Sequence, residues 1–385
     1  MLKRYKLRNY NFRLVIMLVA ISSIGILLVG SADPSLQKKQ LIGVIGGLIL
    51  MVIVSLMDYS WLLNFYWIFY VLNIVLLLAV AFMGSNKKGA SRWIQIGGFQ
   101  FQPTEVCKIL LIMFFAMFLM KHEENLSTLK TILEALMLIA IPLILIIRQP
   151  DLKNTLTIAA LFCILMYVAG LSYKIIGGTI LVVVPLVVVL LLLITQTDIP
   201  IINNYQKDRI MAKLFSEDAE YSDDLRQQEN SITAIGSGQL TGKGLNNNEV
   251  SSANKGKFVA ESQNDFIFAV AGEELGYTGS CVLLLLLFGI VFESIRMSRR
   301  AKDLSGALIC CGVASLVAIQ GFINVAVATG LIPNTGTPLP FVSYGLTSLW
   351  SLYIGMGLVL NVGLQNRTYP GGEKKYEYRA YRTRH

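Results

Sequence analysis

The chain has 385 residues, 54% of them hydrophobic and only 15% charged, with a formal net charge of +9 and a mean hydropathy of +0.60. A soluble domain would carry about a quarter charged residues, so a soluble globular fold is excluded. Apolar segments of about 20 residues recur, each long enough to cross a ~30 Å hydrocarbon core. The composition predicts an all-α polytopic membrane protein, and strands are not needed to explain its spans, because lone strands cannot satisfy their backbone in lipid.

Residues 1–11 form a basic tail, and ten spans follow at 12–30, 41–57, 61–83, 105–120, 131–147, 154–171, 175–195, 266–292, 306–331 and 341–364. The first span lacks a small-residue cleavage site, so no secretory signal peptide is expected. Lys and Arg in the short loops concentrate on one side, which places both termini in the cytoplasm. The net charge is mostly this topology signal, and nucleic acid is not an expected partner. The basic tail 365–385, ending "EKKYEYRAYRTRH", is expected against anionic membrane lipid or in solvent. The whole chain, 1–385, reads as one membrane domain with a large extracytoplasmic loop at 196–265.

The outer loops carry the polar constellations, taken here in chain order. In "GASRWIQIGGFQFQPTEVCKI" (89–109) Arg92 and Trp93 read as an interfacial anchor, Pro103 opens a helix and Glu105 stands in its first turn. Glu105 and Lys108 are i,i+3 neighbours that can pair, either as a structural plug or as a charged floor under a polar substrate. In "RQPDLKN" (148–154) Asp151 can cap the next helix, and Arg148 is close enough to pair with it. "FSEDAEYSDDLRQQEN" (215–230) reads as solvated or interfacial. "AIGSGQLTGKG" (234–244) fails the phosphate-loop and dinucleotide spacings. It reads as a flexible loop whose exposed N–H groups could still approach a pyrophosphate. "TGLIPNTGTPLPFVSYG" (329–345) is a rigid turn punctuated by Pro and Gly.

"SQNDFIFAVAGEELG" (262–276) holds three carboxylates at the start of an apolar run. Asp265 precedes the helix, and an N-cap is its bland role, which Asn264 could take instead. Glu273 and Glu274 lie about 12–14 Å further along, too far to act with Asp265 on one bond. They need partners in the bundle, for which Lys108 is one candidate. Gly272 and Gly276 make a G-x-x-x-G face that admits a neighbouring helix. Glu273 and Glu274 therefore read as structural glue, and Asp265 as the freer group.

All five cysteines fall inside predicted spans without a CxxC pair, and the two histidines are His122 on the inner side and the terminal His385. A disulfide framework, a zinc site and a Ser–His–Asp site on the outer face are excluded. Outer chemistry rests on carboxylates and basic groups.

Five of these motifs, "GASRWIQIGGFQFQPTE", "RQPDL", "AIGSGQLTGKGL", "NDFIFAVAGEELG" and "PNTGTPLPFVSYG", occur in an order that resembles the SEDS proteins (shape, elongation, division and sporulation). These are the ten-span RodA/FtsW-like peptidoglycan glycosyltransferases, and the resemblance covers nearly the whole chain. It implies Asp265 as catalytic base, Glu105 and Lys108 as the ion pair, and Arg92 as the outer basic residue. Two departures concern loop shape: Lys153-Asn154 stands where Gly-Thr is usual, and Gly345-Leu346-Thr347-Ser348 where Gly-Gly-Ser-Ser is usual.

The implied reaction joins two molecules of lipid II at the outer face. Asp265 would deprotonate the acceptor's 4-hydroxyl, which attacks C1 of the donor with inversion to a β-1,4 link. Undecaprenyl pyrophosphate leaves, and Arg92, Lys108, Arg209 or a divalent cation (Mg or Mn) would meet its charge, with Asp151 and Glu105 also at the substrate. The implied partners are a class B penicillin-binding protein (the transpeptidase) and the elongation or division machinery. "RQPDL" and "MDYSWL" (57–62) lean to the elongation branch. The rival readings are a flippase for the lipid-linked precursor and a non-catalytic scaffold for a wall synthase. Against the flippase stands the position of the charged clusters, at one face rather than through the membrane.

Overall fold

The structure, a computed structural model, describes residues 10–87, 90–96, 99–149, 151–174, 177–178, 222–246, 259 and 262–365. The predicted seventh span (175–195), Arg209 and both terminal tails lie outside the described residues, apart from Gly177 and Gly178 within the span and a few positions where the tails join their helices.

The helices begin where the sequence supplies caps. Asn11 accepts from Leu14 N at the head of α1 (Phe12–Ala32), and Asp33 accepts from Ser35 N ahead of α2 (Pro34–Leu56), with Pro34 in its first turn. Asp58 caps the short α3 (Tyr59–Leu63), and α4 (Tyr66–Met83) follows. Pro103 opens α5 (Pro103–Lys121), Thr128 caps α6 (Leu129–Arg148) and Asp151 caps α7 (Leu152–Val168). Then come α8 (Ser222–Ser237), α9 (Ile267–Ser298), α10 (Leu304–Ala328, capped by Asp303) and α11 (Leu346–Leu364). Seven of these helices are long and apolar enough to cross a membrane, and two shorter apolar helices occupy the predicted third and sixth spans.

Burial divides the helices into inner and outer. Nearly every side chain of α5 and α11 is buried, so these two form the axis of the bundle. The outward apolar faces of α4, α6 and the later part of α9 suit lipid: Ile68, Val75, Met137, Ile144, Leu285 and Phe288 are all exposed. Lipid tails are as apolar as these side chains, so close packing holds the helices together. A Cβ on Gly357 of α11 would sit 2.9 Å from Val54 of α2, so only glycine permits that approach.

The described spans are helical as expected, and the strands lie in one connection. There β1 (Ser85–Lys87), β2 (Ala90–Ile96) and β3 (Phe99–Phe101) form a small antiparallel sheet in the order β1-β2-β3. The sheet lies between α4 and α5, where backbone polar groups can pair with one another outside the hydrocarbon. It marks one end of the bundle, called here the sheet end. The first turns of α5, α7, α9 and α11 meet there.

Candidate active site

Glu105 occupies the first turn of α5, where the helix dipole favours an acid. Its Oε1 accepts from Lys108 Nζ at 2.7 Å, with the side chains only 3% and 1% exposed. Lys108 Nζ also donates to Asn154 Oδ1 on α7 at 3.1 Å. Asn154 Nδ2 in turn donates to Asp151 Oδ2 (2.8 Å) and to Thr104 Oγ1 (3.1 Å). Thr347 Oγ1 of α11 accepts from the N–H of Gln102, the N-cap residue of α5, at 3.3 Å. This chain of bonds ties α5, α7 and α11 into one polar layer.

The layer corrects two expectations. Lys108 is fully buried and engaged on two sides, so it is an internal ion-pair partner and not a surface for pyrophosphate. Asp151 does cap α7, accepting from Asn154 N at 3.4 Å, but it turns its other oxygen to Asn154. Arg148 is exposed at the end of α6, and the expected Arg148–Asp151 pair does not form.

Asp265 sits half-buried just ahead of α9. The N-cap of that helix is Phe266, with no side-chain capping bond, so neither Asn264 nor Asp265 serves as the cap. The main chain around Asp265 is gripped from the 333–345 loop instead. Tyr344 N donates to Gln263 O at 2.9 Å, and Ser343 Oγ donates to Asn264 O at 2.6 Å. Asn324 Nδ2 of α10, fully buried, donates to both Asp265 O and Thr337 O at 2.8 Å. These anchors fix the backbone that carries the carboxylate.

What stands next to that carboxylate is Gly336 and Lys153. Gly336 has φ +71, and a Cβ built on it would lie 3.1 Å from Asp265 Oδ2 and 3.7 Å from Lys153 Nζ. Lys153 Nζ donates to the Gly336 carbonyl oxygen, and its charge reaches Glu105 too. Acid and ammonium therefore flank one glycine. Such a pair can take a proton from a hydroxyl while holding an anion beside it. Lys153, Asn324 and Ser343 are site residues that sequence reasoning missed. The one available signal for Lys153 was its departure from the usual Gly, and for Asn324 its amide inside an apolar helix.

Glu273 and Glu274 are resolved differently from expectation. Helix α9 breaks at Gly276 (φ 66, ψ −166), a conformation open to glycine alone. The break releases the carbonyls before it. Lys243 N donates to Glu273 O at 2.9 Å and Gly244 N to Glu274 O at 3.0 Å. Lys243 Nζ pairs with Glu273 Oε1 at 2.8 Å, and Ser31 Oγ donates to Glu274 Oε1. Lys108 is the partner of neither. The 238–244 segment is thus seated in the helix break, and its N–H groups at Gly242, Lys243 and Gly244 are bonded within the protein. It is not a flexible phosphate-approaching loop.

Gly272 packs against Ile235 of α8, whose Cα would lie 3.1 Å from an added Cβ. The stretch expected to be solvated is, in its described part, helix α8, with Gln228 and Ser231 buried and donating to the carbonyls of Val327 and Ala328. The large exposed apolar side chains of α9 begin at Tyr277, beyond the break. Both glutamates therefore belong to a protein-lined polar seam and not to the lipid-facing span.

Arg92 lies half-buried on β2, in the sheet beside this site. Among the described residues, no three His, Cys, Asp or Glu side chains converge as a metal site would require. Beneath Lys108 lies a small crevice lined by Leu111, Ile112, Phe115, Phe162 and Leu165.

The chain matches a family model described as cell cycle protein, FtsW/RodA/SpoVE, over residues 7–368. It is 33% identical over 376 residues to the probable peptidoglycan glycosyltransferase FtsW of Trichlorobacter lovleyi, with 94% of each chain covered. It is 30% identical over 352 residues to the peptidoglycan glycosyltransferase MrdB of Escherichia coli, covering 91% of this chain and 92% of that one. Its fold superposes with a TM-score of 0.74 on a chain from a solved peptidoglycan synthase complex, at 25% identity, over 92% of this chain and 97% of that one.

Proposed function

The chain belongs to the FtsW/RodA/SpoVE family of cell cycle proteins, and from that premise we propose how it acts as a peptidoglycan glycosyltransferase of the membrane. Two lipid II molecules dock at the sheet end, which the distribution of Lys and Arg puts outside the cytoplasm, with both termini inside. Asp265 accepts the proton of the acceptor sugar's 4-hydroxyl. The oxygen attacks C1 of the donor, the bond from C1 to the pyrophosphate breaks, and a β-1,4 link forms with inversion. Undecaprenyl pyrophosphate departs carrying the electron pair, and the outer cations Arg92 and Arg209 would meet its charge.

The observation that carries this reading is the setting of Asp265. Its carboxylate is half-buried, relieved of capping, and its backbone is fixed by Ser343 and Asn324. A base held this way loses little freedom on reaching the reactive geometry. The Glu105–Lys108–Asn154–Asp151 layer is the floor below it. A flippase would need polar groups continuing toward the opposite face, and the side chains packed under Lys108, among them Leu111, Ile112, Phe115 and Phe162, are apolar instead.

Mg or Mn riding on the pyrophosphate would find Asp265 as its carboxylate and Lys153 already beside it. The described residues do not compose a metal site of their own, so the steps above use protein groups alone. The likeness to a chain of a peptidoglycan synthase complex supports a class B penicillin-binding protein as partner.

The test is reconstitution with such a partner and lipid II. Asp265→Asn, shown folded by its melting curve, should make no glycan polymer. Polymer from that variant would sink the assignment, and lipid crossing without polymer from the native protein would favour the transporter.

A further inference from the structure

We propose that Lys153 is a catalytic cation of this chain, the group that receives the diphosphate of the polyprenyl donor as it leaves. The inference rests on the glycosyltransfer reading and adds to it a residue at a position where the resembling family usually carries glycine.

Lys108 and Lys153 both stand at this end of the bundle, and their surroundings separate their roles. Lys108 is buried at 1% exposure and bonded to Glu105 and Asn154. Lys153, in the first turn of α7, is half-buried. Its ammonium donates to the neutral carbonyl of Gly336 and flanks that glycine together with the Asp265 carboxylate. An ammonium has three donors, and a backbone carbonyl occupies one of them. Exchange of a neutral acceptor for a diphosphate oxygen strengthens the hydrogen bond, because charge-assisted bonds are roughly twice as strong.

Position matters as much as charge. The base and the leaving group act on the same sugar-forming step, so the cation must lie near Asp265 while leaving room for the acceptor. Lys153 and Asp265 approach Gly336 from different elements, α7 and the α9 leader, and the missing side chain of Gly336 keeps the space between them open. The balance of the step is simple. The acceptor O–H proton moves to the Asp265 carboxylate, the oxygen bonds to C1, and C1 releases the diphosphate oxygen with its electron pair. Lys153 hydrogen-bonds that oxygen and gives up no proton. Lys153 also fits the neighbouring departure from the usual pattern, since Asn154 holds Lys108 and Asp151 and so fixes the turn from which Lys153 projects.

The experiment measures binding of undecaprenyl diphosphate and undecaprenyl monophosphate to the full chain in nanodiscs, for the native protein, Lys153→Met and Lys153→Arg. Melting curves and lipid II polymerisation with the class B partner are recorded in parallel. Lys153→Met should bind the diphosphate about 10- to 100-fold more weakly, the worth of one charge-assisted hydrogen bond. Its preference for diphosphate over monophosphate should shrink, and its polymerisation should fall. Lys153→Arg should restore most of each. Unchanged diphosphate affinity in a folded Lys153→Met overturns the proposal and leaves Lys153 as a tether of the Gly336 loop. Should Lys153→Met fail to fold, Lys153→Gln takes its place with the same two outcomes. Asp265→Asn serves as the second axis. It should keep diphosphate affinity while losing polymerisation, so a failure of the base assignment appears as retained polymerisation and a failure of this inference as retained affinity in the Lys153 variants.

Discussion

Gly336→Ala probes the geometry at Asp265 with a single methyl group. The native φ is +71, where an L-residue pays about 1–2 kcal/mol. The new Cβ would stand 3.1 Å from Asp265 Oδ2 and 3.7 Å from both its Cγ and Lys153 Nζ. The first contact is tighter than ordinary van der Waals distance, so the carboxylate must move by a few tenths of an ångström. Misplacement of a catalytic group by about 1 Å can cost about 100-fold in rate, so a smaller shift should cost roughly 10-fold. Gly170→Ala is the control, because Gly170 has φ +104 and nothing within 4 Å of an added Cβ. It pays the backbone strain without touching the site. The expected result is a similar loss of thermal stability in both variants, with lipid II polymerisation falling only in Gly336→Ala. Equal activity in the two would refute the claim that Gly336 keeps the space in which Asp265 works.

Two further outcomes follow from the buried network and the helix break. Glu105→Ala leaves the Lys108 ammonium buried with Asn154 alone, which should cost about 3–5 kcal/mol, whereas Glu105→Leu with Lys108→Met should recover much of that. Thermal melting decides it, and a double variant no better than the single would show that the pair does not act as an ion pair. Gly276→Ala would place a Cβ against the backbone of Gly242 and Leu240 at φ 66, so it should reduce the yield of folded protein in the membrane. A well-folded Gly276→Ala with native melting would contradict the seating of the 238–244 segment in the break.

The parts of this site that could be read from the chain are those whose reasons are local. Asp265 stands out because a carboxylate at the mouth of an apolar helix has few structural duties, and capping was the main competitor. Glu105 and Lys108 could be paired because helical geometry puts i and i+3 on one face whatever surrounds them. Spans could be placed because hydrocarbon thickness sets their length. The missed features depend on chain folding back across long separations. Lys153 meets Asp265 only because the 333–345 loop is drawn down by Ser343, Asn324 and Tyr344, placing Gly336 between them. Periodicity also takes α9 to be continuous, which put Glu273 and Glu274 in the lipid-spanning run and led to Lys108 as a partner. The break at Gly276 moves that boundary to Tyr277 and brings in Lys243 and Ser31, from segments that no helical repeat connects to α9. The sheet between α4 and α5 is likewise not read from the chain. The alternation in "RWIQI" carries a strand period, but hydropathy speaks only of the spans and says nothing of how a connection pairs its backbone. Membrane composition constrains the segments inside the bilayer strongly and their ends and loops hardly at all, and here a loop holds the base and the first turn of α7 holds the cation proposed to act with it.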